Sequence, residues 1–225
     1  MFPAQESRVR HSLAWRSILL VVLLGVGLVL ALWQPVSLET LVATGEEYAR
    51  KPWAMVGSVV LLAVFFVFAL PGSLVFWLIA PFHPPVVAVP MLLAGSLPGC
   101  LGAYWVASAL STRLRNARSA AGVIAFMRKR SDMLSQCALR VLPGFPHAAV
   151  NYAAGVLRVG LPGFVVAIVI GLGIKWSLYA TAVYGAIDAI RRGEGVDGGT
   201  IMLMGGIAVL MVVAAWMKRR TAGSR

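Results

Sequence analysis

Apolar stretches at residues 16–34, 53–81, 85–110, 139–157, 161–185 and 200–217 govern what this chain can become. Several approach or exceed the roughly 20 residues that cross a bilayer. Only 12% of residues are charged and mean hydropathy is +0.85, against about a quarter charged in a soluble domain. The chain reads as an all-α integral membrane protein. What remains is which stretches cross and which turn back.

Charge decides that. The net charge is +12, and basic loops are retained on the cytoplasmic side. The N-terminal tail carries Arg8, Arg10 and Arg16, and the C-terminus reads "KRRTAGSR". Residues 111–140 hold Arg113, Arg115, Arg118, Arg128, Lys129, Arg130 and Arg140 against one acid, Asp132. These three regions are expected inside. The connector 35–52, with Glu39, Glu46 and Glu47, and the connector 186–199, with Asp188, Glu194 and Asp197, are expected outside. The basic residues abut apolar runs, as contacts to anionic lipid would, so nucleic-acid binding is rejected. The run Ile18–Leu32 ends in "LALWQP" without a small-residue cleavage site and reads as an uncleaved first helix.

Parity then requires two stretches that enter and return. Between the inner N-terminus and residue 111 lie 16–34, 53–81 and 85–110, and only an odd number of crossings connects outer residue 35 to inner residue 111. The stretch 53–81 is split by "ALPGSL", where Pro71 removes a donor and Gly72 permits a reversal. From Arg140 to Lys218 the same count makes 139–157 the returning stretch. It contains "RVLPGFPHAAVNYAAG", broken at Pro143, Gly144 and Pro146. Backbone turned at that depth is tolerated only against protein or a watery cavity. The prediction is four transmembrane helices plus two re-entrant hairpins entering from opposite faces, the pattern of an inverted-repeat transporter. Further Leu-Pro-Gly copies at Leu97–Gly99 and Leu161–Gly163 read as ordinary helix kinks. Residues 110–135 have apolar positions three and four apart with basic residues between, which predicts an interfacial amphipathic helix. The organisation is 1–52 as tail, first helix and outer connector, 53–185 as the core, and 186–225 as connector, last helix and basic tail.

The stretch "LRVLPGFPHAAVNYAAGVLRVGLPGFVVAIVIG" resembles the second block of the DedA-like, SNARE-associated (VTT-domain) membrane-protein superfamily. It is closest to the Tvp-type branch. The matching residues are Arg140, Pro143, Phe145, Pro146, Asn151, Tyr152, Gly155, Arg158, Val159, Phe164, Gly171 and Tyr179. The first block, "ALPGSLVFW", matches at Pro71, Gly72 and Ser73. The resemblance spans roughly residues 55–185 and implies two facing hairpins and lipid handling, as a scramblase or translocator. The chain departs from the family in "APFHPPVVAVP", which contains His83, and in "GLGIKW", which contains Lys175. Coupling to protons in the family is associated with an acid beside the first Pro-Gly, where this chain has Ser73.

All eight acids lie outside the apolar stretches. The polar groups at membrane depth are Arg140, His147, Asn151, Arg158 and Lys175, each expensive there and so a candidate for function. Arg140 reads as a headgroup anchor or a bidentate phosphate grip. Arg158 reads as a second phosphate ligand or a snorkelling cation. Asn151 either serves freed backbone or lines a polar path. Lys175 either reaches a substrate cavity or snorkels, and His147 is the candidate proton carrier. Cys100 and Cys137 lack metal or disulfide spacing and read as small buried hydrophobes. No catalytic or nucleotide motif occurs, so no enzyme activity, cofactor or metal is expected.

The sequence therefore predicts a multi-pass protein of the cell inner (plasma) membrane with both termini cytoplasmic. It would move a phospholipid or polyprenyl phosphate passively between leaflets. The alternatives are a small-solute transporter and a non-transporting membrane assembly or homeostasis factor that binds lipids or partner helices, with Gly95, Gly99 and Gly102 as a face for helix packing; a homo-oligomer is a further partner to expect.

Overall fold

The computed structural model describes residues 38–111, 124–125, 127–128, 132–142 and 147–222, with side chains from 43 to 213 within those ranges. The predicted first helix, most of the amphipathic helix and the break residues Pro143, Gly144 and Pro146 lie outside the described residues. The chain divides after Thr44 into two units, and the account below concerns Gly45–Arg225.

No strand occurs among the described residues. The helices are α1 (Leu38–Ala49), α2 (Pro52–Val67), α3 (Ser73–Ile79), α4 (Pro85–Ala109), α5 (Met133–Val141), α6 (His147–Val156), α7 (Leu161–Arg192) and α8 (Gly198–Ala222). α4 and α7 are long and apolar enough to cross a membrane. Residues Ala43–Ala49 and Pro52–Val67 pass the same test as a pair bent by 84°. The protein is thus a multi-pass membrane protein, and its described residues hold two such helices, or three if the bent pair counts as one. At its 32 residues, α7 is about 48 Å long by the helical rise. It overruns a hydrocarbon core of roughly 30 Å and has room to tilt.

Of the four Leu-Pro-Gly copies, Leu97–Gly99 sits inside the unbroken α4, and Leu161–Gly163 opens α7 with proline in the first turn. Only Leu70–Gly72 coincides with a described break, and the reversal there is made differently from the sequence expectation. The left-handed residue is Ala69, at φ 59°, while Gly72 is right-handed at φ −60°. Ala69 N–H donates to Phe66 O and Leu70 N–H to Phe65 O, the paired closure that ends many helices. Gly72 instead permits a close approach: a Cβ there would lie 2.7 Å from the Phe66 ring. α7 also continues past the expected boundary at 185. It ends at Gly193, whose φ of 64° lies in the region that suits glycine.

The core forms where α2, α6 and α7 close around α4, with α5 packed on the outside of this group against α7. A Cβ on Gly95, Gly99 or Gly102 would strike Val59 O, the Ala63 backbone and Val67 of α2, respectively. This small-residue face lets two helices approach without a hydrophobic drive. It is spent inside the chain and is not left open for a partner. At one end of the molecule Arg191 pairs with Glu46 at 3.2 Å and donates to Pro81 O at 3.1 Å. The two acid-bearing connectors therefore lie at the same end.

Candidate functional site

Arg140 is in the last turn of α5 and is only 1% exposed. Its stem enters because α7 has glycine opposite: a Cβ on Gly171 would lie 2.8 Å from Arg140 Cβ. The guanidinium lies over the Phe164 ring, 5.0 Å from its centroid, a contact worth about 2 kcal/mol when desolvated. Its Nη2 donates to Asn151 Oδ1 at 3.0 Å. Its Nη1 reaches Gln136 O only at 3.5 Å, and Nε has no partner. Among the described residues no carboxylate pairs with it. Burying an ion costs several kcal/mol after relaxation, and these contacts leave donors over.

Asn151, on α6, is 1% exposed and donates from Nδ2 to Cys100 Sγ on α4 at 3.1 Å. α6 lies close to α4 because Gly155 offers no side chain where Tyr104 O and Ala107 pass. Arg140, Asn151 and Cys100 therefore form one continuous chain across three helices. Cys100 is as buried as a filler residue would be, but it also accepts a hydrogen bond.

A second basic group meets α6 one turn before Asn151, on the same face. Lys175 Nζ lies 2.6 Å from His147 Nε2. With Lys175 donating, the ring proton sits on Nδ1, which is buried without a partner. The ammonium also lies over Trp176 and Tyr179 at 5.7 and 5.6 Å, while His147 stacks on Phe66. Trp176 is fixed by donating to Ser96 Oγ at 3.2 Å and by stacking on Phe76. Lys175 is about 21 Å along α7 by the helical rise, near its middle. It is 9% exposed and turns inward, so it does not snorkel. His147 and Asn151 are one helical turn apart on α6, so the Lys175–His147 and Arg140–Asn151 contacts lie on neighbouring positions of one helix face.

The structure thus gathers Arg140, Asn151, His147 and Lys175. Arg158 is apart: it is exposed on the turn at the opposite end of α6 from His147, left-handed at φ 51°. No hydrogen bond or ion pair joins it to the others. His83 is buried in the turn before α4, with Nδ1 on Ile79 O at 3.1 Å. Pro71 and Ser73 are exposed at the first break. Sequence reading missed Cys100 as a hydrogen-bond partner, Phe164 as the ring beneath the guanidinium, and Ser96. Among the described residues no group of three or more His, Cys, Asp or Glu could hold a metal ion. What the arrangement can do is hold an anion, with two cations, unfilled N–H donors and aromatic walls in a buried setting.

Comparison with curated proteins gave no match, and neither did comparison with solved structures. Comparison with protein-family models matched residues 52–185 to the VTT domain, without singling out the Tvp-type branch. The matched span covers well over half of the chain and contains every residue of the site, and the chain belongs to the VTT-domain family, that of the DedA and SNARE-associated Golgi proteins.

Proposed function

We propose that this protein is a passive scramblase that moves a phosphate-bearing lipid, phospholipid or polyprenyl phosphate, between leaflets. The observation that carries the reading is Arg140, a buried guanidinium with a free Nε and no carboxylate partner among the described residues. A group that costs so much to bury is understandable if a phosphate completes it, since the planar fork suits phosphate oxygens. The headgroup passes Arg140 and Asn151, then Lys175 held by His147, while the tails stay in lipid. No covalent step and no cofactor enter. Membership in the VTT-domain family supports the membrane setting. The reading as a partner-binding assembly factor loses its main support, because Gly95, Gly99 and Gly102 are covered by α2.

The proposal includes the topology: four spans, two hairpins entering from opposite faces, and both termini cytoplasmic in the inner (plasma) membrane. The shared end of Glu46 and Arg191 supports placing both connectors outside. Single cysteines test it. Gly45 is a poor site because a Cβ would meet the Phe82 ring at 2.6 Å. Glu47→Cys and Gly195→Cys should react from outside, and Ser119→Cys only after permeabilisation. Labelling of Ser119→Cys from outside would remove both hairpins at once.

Transport is tested by reconstituting the full chain with a fluorescent phosphate-bearing lipid and quenching the outer leaflet with dithionite. Bidirectional transfer, equal with and without an imposed pH gradient, is expected. Net uphill transfer driven by the gradient and lost in His147→Ala would make His147 a proton carrier and end the passive model. Uptake of a soluble solute without lipid transfer would favour a solute transporter.

A further inference from the structure

Cys100 is neither reactive-looking nor idle. It sits in the interior of α4, 1% exposed, directly opposite Asn151. The orientation of the Asn151 carboxamide is settled by what lies at its two ends. A guanidinium has donors only, so the amide oxygen must face Arg140, and the amide nitrogen must then find an acceptor on the other side. The thiol sulfur supplies one at 3.1 Å. Remove that acceptor and the Asn151 N–H is buried unpaired, a state that favours any rotation carrying the amide away from Arg140. Asn151 makes the shortest hydrogen bond to Arg140 among the described residues. Arg140 in turn keeps an unpartnered Nε in the same dry space, the mark of a group held for a ligand.

We infer that Cys100 is a positioning residue for the anion site, acting through Asn151 to hold the Arg140 guanidinium with its free N–H edge presented to phosphate. Its role needs an acceptor of the right size, not thiol chemistry. The inference deepens the lipid-transfer reading of this site and depends on it only for its transport measurement.

The test uses the full chain as wild type, Cys100→Ser, Cys100→Ala and Cys100→Val. Transfer of a fluorescent phosphatidic acid is followed against its mole fraction in vesicles. In parallel, nitrogen-15 spectra of arginine side chains are recorded in nanodiscs, with the Arg140 signals assigned by their loss in Arg140→Lys. In Cys100→Ser the acceptor survives, and the half-saturating mole fraction should stay within about twofold of wild type with Arg140 signals in place. In Cys100→Ala and Cys100→Val it should rise about tenfold at nearly unchanged maximal rate, with the Arg140 signals shifted and exchange-broadened. Should the alanine variant fail to fold, the valine variant fills the thiol's volume without its acceptor. Arg140 signals unaltered in both apolar variants would overturn the inference and leave lipid transfer standing. Equal damage in all three variants would also overturn it, since Cys100 would then only fill space. A wild type that moves no lipid, with spectra that still separate serine from alanine and valine, would leave Cys100's role intact and refute the transport reading instead.

Discussion

At the end of α2, Ala69 donates to Phe66 O and Leu70 to Phe65 O. At the end of α6, Arg158 donates to Gly155 O and Val159 to Ala154 O. The two closures are the same motif, with a side chain at the left-handed position in each. Each is also pinned from the other half of the core. Tyr152 of α6 donates to Val67 O, and Tyr104 of α4 donates to Val159 O, both at 2.8 Å. The frame is thus reciprocal, but the chemistry is not. Arg140, Asn151, His147 and Lys175 all come from α5, α6 and α7. The first break contributes Pro71 and Ser73 at the surface, and to the site only the Phe66 ring. A repeated frame can therefore carry its chemistry on one side, leaving the other to brace it.

The strongest way to break this comparison is to remove the charge that makes the halves differ. Arg140→Met keeps an unbranched stem and discards the uncompensated cation. Transfer of a phosphate-bearing lipid should fall by about a hundredfold, because the charge-assisted contact is lost. Stability should not fall with it. Replacing buried ionic groups with apolar groups of similar size is often neutral or stabilising by about 1–4 kcal/mol. Lower transfer with a higher melting temperature in detergent would mark Arg140 as retained for function. If both drop together, the guanidinium is a structural strut, and the asymmetry loses its functional meaning.

A subtler break targets the braces. Tyr104→Phe and Tyr152→Phe each delete one hydroxyl and take its hydrogen bond from a half-buried carbonyl. Each should cost about 1 kcal/mol of stability, a symmetric penalty measurable by chemical denaturation. Transport should separate them. Tyr104 pins the turn that follows α6, which carries Asn151 and His147, so Tyr104→Phe should raise the half-saturating lipid fraction more. Equal effects on transport would mean that both halves shape the path.

How much of this was legible in the sequence differs between the same two regions. Proline and glycine in "ALPGSL" announced a break, and one is there, but the sequence pointed to Gly72 for a reversal that Ala69 makes. The left-handed position is set by where α2 stops. That is fixed by the packing of Gly95, Gly99 and Gly102 against α2, a contact between segments distant in the chain. For the second region, composition singled out Arg140, His147, Asn151, Arg158 and Lys175, and the fold brings all but Arg158 together. It left Arg140 as a headgroup anchor or a phosphate grip, because nothing local reveals that Gly171 opens a slot for its stem. It took Cys100 for filler because an acceptor is recognised only beside its donor, and Asn151 is far along the sequence. Local chemistry was readable, but depth and partnership depend on tertiary packing.

The smallest expected effects bear on the frame itself. A non-glycine residue in the left-handed region costs about 1 kcal/mol or somewhat more. Ala69→Gly should therefore stabilise the fold, offset in part by the extra freedom glycine has when unfolded, for a net gain of about 0.5 kcal/mol. Arg158→Gly should gain a similar amount, since Arg158 is exposed and no hydrogen bond or ion pair is lost. Gly193, which closes α7 with the same bonds at φ 64°, is the control: Gly193→Ala should destabilise by about 1 kcal/mol. The sign across the set, read by chemical denaturation, is the result that decides. Two gains and one loss would show that the core closures tolerate strain where the peripheral one does not. Transport then separates Ala69 from Arg158. Ala69→Gly should leave transfer unchanged. If Arg158→Gly does the same, the anion path ends at the buried cluster. If it slows transfer of phosphate-bearing lipid while stabilising the protein, Arg158 joins Arg140 and Lys175 as a ligand at the mouth of the path, and the strain it bears is held in the half that carries the chemistry.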